Sequence, residues 1–208
     1  MPGAAHEEQG SWGRRGLTAD VERRATLVQQ FVVLLRGVNV GKANRVPMAG
    51  FRVLLEAEGF AEVRTLLNSG NAVFRSAERS AASHAKVIGA RLQESLGVGV
   101  LVVVKSSADF LAVVAEQPFA LPENDHSRLL VAFAPSQAAT QGLSVLLPML
   151  QPPERLHIGS QAAYLHCAGG ILESKAGSAL LGKLGRAVTT RNWATVLKLK
   201  ALLDGGVA

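Results

Sequence analysis

Phe31-Val32-Val33-Leu34-Leu35-Arg36-Gly37-Val38-Asn39-Val40-Gly41-Lys42-Ala43-Asn44-Arg45 is the stretch on which the fold turns. Its first five residues are apolar without interruption and are closed by Arg36-Gly37, the signature of a short buried strand. Downstream, Pro47 suits the first turn of a helix, where its missing N–H would be unpaired anyway. Met48, Phe51, Leu54 and Leu55 recur at helical spacing, and Gly59 stops the helix. Glu62–Leu67 and Ala72–Ser76 then flank Asn68-Ser69-Gly70-Asn71, a hairpin connection with Ser-Gly turn chemistry. A helix over Ser80–Leu96 and a strand over Val98–Val104 complete the unit. The order strand–helix–strand–strand–helix–strand is that of a split βαβ, ferredoxin-like unit with helices on one face of an antiparallel sheet.

Outward from that unit, a helix over Ala108–Glu116 ends before Pro118, and the polar turn Leu121–Ser127 marks a boundary. The second half reads as a strand at Leu129–Phe133, a helix at Ser136–Met149, strands at Arg155–Ile158 and Ala162–Cys167, and helices near Ser178–Gly185 and Arg191–Leu203. It repeats strand–helix–strand–strand and then departs into helices. The expected class is therefore α+β: two ferredoxin-like halves with antiparallel sheets, plus C-terminal helices. Residues 1–27 are expected to form a flexible extension, with Thr18–Gln30 as its one candidate helix. Residues 28–120 form the first subdomain and residues 121–208 the second, with its closing helices.

With 208 residues, 48% of them hydrophobic and 18% charged, the chain can bury a sizeable core, and this composition excludes a disordered chain. Aromatic residues make up only 5%, which disfavours a stacking platform for single-stranded nucleic acid. The net charge of +6 is unevenly spread. Residues 175–200 hold six basic and no acidic side chains, whereas residues 106–173 hold two basic and six acidic. Cys167 is the only cysteine. An intrachain disulfide is thereby excluded, and the expected compartment is a reducing one, the cytoplasm. No run reaches the roughly 20 apolar residues of a membrane span, and no apolar core of an export signal precedes residue 30, so no membrane association is expected.

Arg36 to Arg45 joins a strand to a helix through two glycines, an arrangement that can aim backbone N–H groups at an anion. Three residues separate Gly37 from Gly41 and Ala43 follows Lys42, which excludes a nucleotide triphosphatase loop: that loop needs four residues there and a Ser or Thr after its Lys. Thr189-Thr190-Arg191-Asn192-Trp193 is expected to open the last helix with a threonine cap. That placement sets Arg191 against the positive end of the helix dipole unless an anion lies nearby. The candidate ligand-binding residues are Arg36, Asn39, Lys42, Arg45, Ser69, Asn71, Thr190, Arg191 and Asn192. If Arg191 is a surface clamp of this kind, its removal is expected to cost little stability. The five histidines lack metal-ligand spacing, His166-Cys167 is poorly placed for a dyad, and neither metal nor cofactor is expected.

The same segments carry a family resemblance. Val33–Gly41 with Val46-Pro47-Met48, Asn68–Asn71 with Val73-Phe74, and Thr189–Trp193 with Thr195-Val196 and Lys198-Leu199 are similar to three motifs of the domain of unknown function 1697 family. Gly170-Ile171 and Ser174-Lys175 resemble a smaller motif. The resemblance covers Phe31–Leu203 and departs at Ala43, Asn68 and Ala194. It implies an α+β fold of two ferredoxin-like halves, without an established activity. On function, the leading expectation is a binding or regulatory module whose basic pocket takes a phosphate-bearing ligand, a nucleotide or nucleic acid. The alternatives are an enzyme acting on a small polar or anionic metabolite and a protein–protein interaction module. The sequence leaves the oligomeric state open.

Overall fold

A computed structural model describes residues 28–41 and 44–206. The expected extension over residues 1–27 and the candidate Lys42 fall outside the described residues.

Strand β1 (Gln29–Leu35) is followed by α1 (Met48–Ala57), β2 (Ala61–Leu66), β3 (Asn71–Ser76), α2 (Ala81–Leu96), β4 (Val102–Ser106) and α3 (Ser107–Glu116). The second half runs β5 (Leu129–Phe133), α4 (Gln137–Gln141), a 3₁₀ segment (Gly142–Met149), β6 (Arg155–Ile158), β7 (Ala162–His166), α5 (Lys175–Leu181), β8 (Thr189–Asn192) and α6 (Trp193–Leu203). Both sheets are four-stranded and antiparallel, in the orders β2-β3-β1-β4 and β6-β7-β5-β8. These are the same order, that of the ferredoxin-like unit. Among the described residues no helix is long and apolar enough to cross a membrane.

Each central strand is buried on both faces, which explains its unbroken apolar run. Phe31, Val33 and Leu35 of β1 face α1 and α2 with Phe51, Leu55, Ile88 and Leu92. Val32 and Leu34 face the other way, into a shared core with Leu129, Val131 and Phe133 of β5. Phe110 and Val113 of α3 and Trp193, Val196 and Leu199 of α6 fill that shared core. Outside the second sheet lie Leu143, Leu146, Ala176 and Leu180. The layers are thus helices, sheet, the α3–α6 pair, sheet, helices.

The duplication is more complete than the sequence indicates. Thr189–Asn192 is a strand, paired with β5 in the register Val131↔Arg191 and Phe133↔Thr189. It corrects the expectation that Thr189–Trp193 opens a helix. The cap is Asn192, whose side chain accepts from the Thr195 N–H at 2.9 Å. In the same way Ser106 ends β4 and caps α3 by accepting from the Asp109 N–H. Both halves therefore run β-α-β-β-α-β-α, and Ser106 corresponds to Asn192. Other differences are local. The fourth strand begins at Val102, and the expected Ser136–Met149 helix tightens to 3₁₀ from Gly142, with Pro148 inside it.

Candidate functional site

The loop after β1 folds around an asparagine. Asn39 takes a left-handed φ of 57°, and its side-chain carbonyl accepts from the Val46 N–H at 2.9 Å. Its amide donates to the carbonyls of Val46 and Asn68 at 2.9 and 2.7 Å. Both polar ends of Asn39 are spent on holding the loop against the β2–β3 turn. In that turn Gly70, at φ +72°, lies so close to β1 that a Cβ would stand 2.6 Å from Leu35 Cβ and 2.7 Å from Val38 Cγ2. Only glycine lets the two segments meet.

Their meeting point receives Arg191 from the other half. Arg191 is 7% exposed and shares its guanidinium among neutral acceptors. Nε donates to Asn71 Oδ1. Nη1 donates to Thr189 Oγ1 and the Thr190 carbonyl at 2.9 and 2.7 Å. Nη2 donates to the carbonyls of Leu35 and Ser69, each at 2.8 Å, and of Gly70 at 3.3 Å. Asn71, fully buried, is held for this role by its amide, which donates to the Leu66 carbonyl and Ser69 Oγ at 3.0 Å. Burial pulls the Arg191 pKa down to about 10, so it stays charged at neutral pH. Thr189 adds a bond from Oγ1 to the Leu35 carbonyl at 3.1 Å.

Arg36 crosses in the opposite direction. Its Nε donates to the carbonyls of Gly185 and Val188 at 3.1 and 2.9 Å, and its Nη2 to those of Leu181 and Gly182 at 3.3 and 3.1 Å. The guanidinium thus sits on the C-terminal carbonyls of α5, where a cation is favoured by the helix dipole. Neither Arg36 nor Arg191 forms an ion pair with a described carboxylate.

Between these segments lies a cleft of about 470 Å³ whose lining includes Arg36, Gly37, Ser69, Leu181, Thr190 and Arg191. None of the described residues that line it is an acidic residue, histidine or cysteine. Four of the candidate residues therefore converge on one cleft: Arg36, Ser69, Thr190 and Arg191. Asn71 lies beneath it as an Arg191 partner. Asn39 and Arg45 line a separate pocket with Pro47 and Asn68, and Asn192 is spent as the α6 cap. The expectation that Arg191 is a surface clamp of little structural weight is corrected, since its donors are spent on the junction of the two halves.

Sequence reading missed a second buried cation. Lys105 on β4 is 7% exposed, lies opposite Val32 in register, and donates from Nζ to Gln161 Oε1 of the β6–β7 turn at 3.0 Å. By topology Lys105 corresponds to Arg191, and Gln161 to Gly70. Each half sends one cation from its last strand into the hairpin turn of the other. The signal was available: Lys105 directly follows Val102-Val103-Val104 and precedes the cap Ser106, as Arg191 follows Thr189-Thr190 and precedes the cap Asn192. Among the described residues no group of three or more His, Cys, Asp or Glu is placed to hold a metal ion.

Comparison with known proteins accords with this architecture. Residues 28–164 match the family described as Protein of unknown function (DUF1697), and the chain belongs to that family. No curated protein matches it. Among solved structures it is similar to the conserved bacterial protein SP0830 from Streptococcus pneumoniae, with a TM-score of 0.71 and 24% identity. The match covers 85% of this chain and 99% of that one, and it speaks for the fold.

Proposed function

We propose that this DUF1697 protein is a binding module that takes a small anionic ligand, a phosphate or carboxylate, in the cleft between its two halves. The observation that carries this reading is a charge imbalance among the described residues: two arginines line one cleft, neither is paired with a carboxylate, and no acidic residue lines it. Hydrogen bonds to carbonyl oxygens solvate a guanidinium without cancelling its charge. A buried charge without a counter-ion is costly, and an anion arriving in the cleft relieves that cost. Donors remain for it, since Arg36 Nη1 and the Thr190 hydroxyl have no acceptor among the described residues. The Ser69 hydroxyl, which accepts from Asn71, can donate as well.

Two features support binding of a small molecule over the alternatives. Without a carboxylate, imidazole or thiol among its described lining residues, the cleft offers no conventional general base to activate the Ser69 or Thr190 hydroxyl. The recessed, backbone-bonded Arg191 suits a compact ligand entering the cleft better than a nucleic-acid backbone passing over the surface, which exposed lysines and arginines would grip. The test is titration of the full chain with inorganic phosphate, acetate and adenosine monophosphate, followed by amide NMR. Saturable shifts at Gly37, Ser69 and Thr190, weakened about tenfold in Arg36→Gln by loss of a charge-assisted contact, are the expected result. Shifts absent at those residues, or unaffected by Arg36→Gln, would overturn the reading.

A further inference from the structure

We infer, resting on that reading, that the ligand is an oxyanion carried on an aliphatic chain rather than a nucleotide or a free inorganic ion. Beside its polar residues the cleft is lined by Leu35, Val38, Val40, Leu180, Leu181 and Val188. Two of these are left in water, Val40 at 73% and Leu181 at 46% exposure. Single exposed apolar residues need no explanation, but these stand at the cleft that holds both arginines.

The apolar wall is also joined to the charge. Arg36 donates to the main-chain carbonyls of Leu181 and Val188, so the guanidinium and these two side chains belong to one small region. A head group at Arg36 Nη1 therefore has an aliphatic surface within reach of whatever it is attached to. What the lining lacks is equally telling. Among the described residues it has no aromatic ring to stack a base, and no carboxylate or amide side chain to accept from a sugar or base edge, the groups by which nucleotides are ordinarily read. A volume of about 470 Å³ falls within the roughly 300–1,000 Å³ of small-molecule sites and exceeds what a bare oxyanion needs.

Isothermal titration calorimetry on the full chain can compare acetate with octanoate and inorganic phosphate with octyl phosphate, the alkyl ligands kept below their micelle concentrations. Each buried methylene is worth roughly a fourfold factor in affinity. At least one alkyl ligand is therefore expected to bind on the order of 100-fold more tightly than its own head group. The variants Leu181→Ser and Val40→Ser, with folding checked by circular dichroism, are expected to shrink that ratio about tenfold by removing apolar contact. Saturable binding of the head groups with no gain from either chain would overturn this inference and leave the anion reading standing. An alkyl gain that both variants leave intact would place the chain elsewhere and overturn the inference too. Absence of binding by all four ligands would overturn both.

Discussion

Replacing Arg191 by methionine, and separately Lys105 by methionine, tests the role of two cations that occupy corresponding positions in the two halves. Methionine keeps the length and unbranched shape of the stem and removes the charge and donors. The difference lies in what each side chain leaves behind. Arg191→Met strips donors from the buried acceptors Asn71 Oδ1, Thr189 Oγ1 and the Gly70 carbonyl, and in part from Leu35, whose carbonyl keeps Thr189 Oγ1. Counting three of these as buried losses at about 2 kcal/mol each gives about 6 kcal/mol, because hydrogen bonds to a charged donor are worth more than neutral ones. Against it stands relief of desolvation: a pKa held at about 10 corresponds to a cost on the order of 3 kcal/mol. The net expected loss is about 3 kcal/mol, a large share of a typical stability of about 5–15 kcal/mol.

For Lys105 the balance reverses. Its Nζ has one neutral acceptor, Gln161, which is only half-buried and can turn to water. Burial lowers the Lys105 pKa, and Asp109 only partly opposes the effect. Lys105→Met is therefore expected to be neutral or to gain up to about 1 kcal/mol. Urea denaturation followed by circular dichroism, with the m-value checked for constancy, measures both. Arg191→Met within about 1 kcal/mol of the parent, or equal losses in the two variants, would refute the account of Arg191 as the tie between the halves.

Gly70→Ala is expected to cost about 2–4 kcal/mol, through a left-handed φ and a Cβ forced against Leu35 and Val38; a thermal midpoint unchanged from the parent would contradict it. Trp193→Ala should cost about 3–5 kcal/mol because the indole fills the core shared by both sheets, and urea melts measure this. His166 is buried with neither ring nitrogen hydrogen-bonded. Burial first, then Arg155 and Arg128, lower its pKa against the pull of Asp125. Since the folded protein holds this proton less tightly than the unfolded chain, stability is complete above the ordinary value of 6.5 and falls as pH drops below it. Urea midpoints measured between about pH 5 and 7.5 should show this slope, and His166→Phe should flatten it.

Most of the fold was legible because the central strands β1 and β5 are buried on both faces and so read as apolar runs. The glycine and Ser-Gly signals bounded them. The fourth strand of the second half was not legible for a physical reason. Thr189–Asn192 is four residues long and passes into α6 with no loop, and its capping asparagine is also its last strand residue. A threonine before a helical stripe is an equally good cap in sequence. The site was half legible. Residues able to meet a ligand and residues that hold two loops together are both polar and cluster in the same motifs. Sequence spacing shows neither that Asn39 turns its amide onto Val46 and Asn68 nor that Arg191 spends its donors on backbone. The first pairs a loop with segments 7 and 29 residues on, and the second pairs Arg191 with carbonyls more than 120 residues away; both are facts of three-dimensional pairing.

The saturation of Arg191 shifts the question of specificity from charge to shape. A guanidinium whose fork faces main-chain carbonyls attracts an anion through its field without gripping it. At an effective dielectric of about 20, a unit charge roughly 6 Å away gains on the order of 3 kcal/mol. By itself that corresponds to a dissociation constant of several millimolar. Arg191 already serves the fold by tying the two halves together, so its charge alone does not mark a site. What breaks the symmetry is Arg36. The corresponding position after β5 is Pro135, which carries no charge and no side-chain donor, and no arginine there reaches back to the opposing half. The charge of Arg36 is thus present on one side of the duplication only. Because the duplicated fold is built without an arginine at that position on its other side, Arg36 is the group on which the proposed site is best tested, and under that proposal the apolar wall supplies the affinity that the field of Arg191 alone does not.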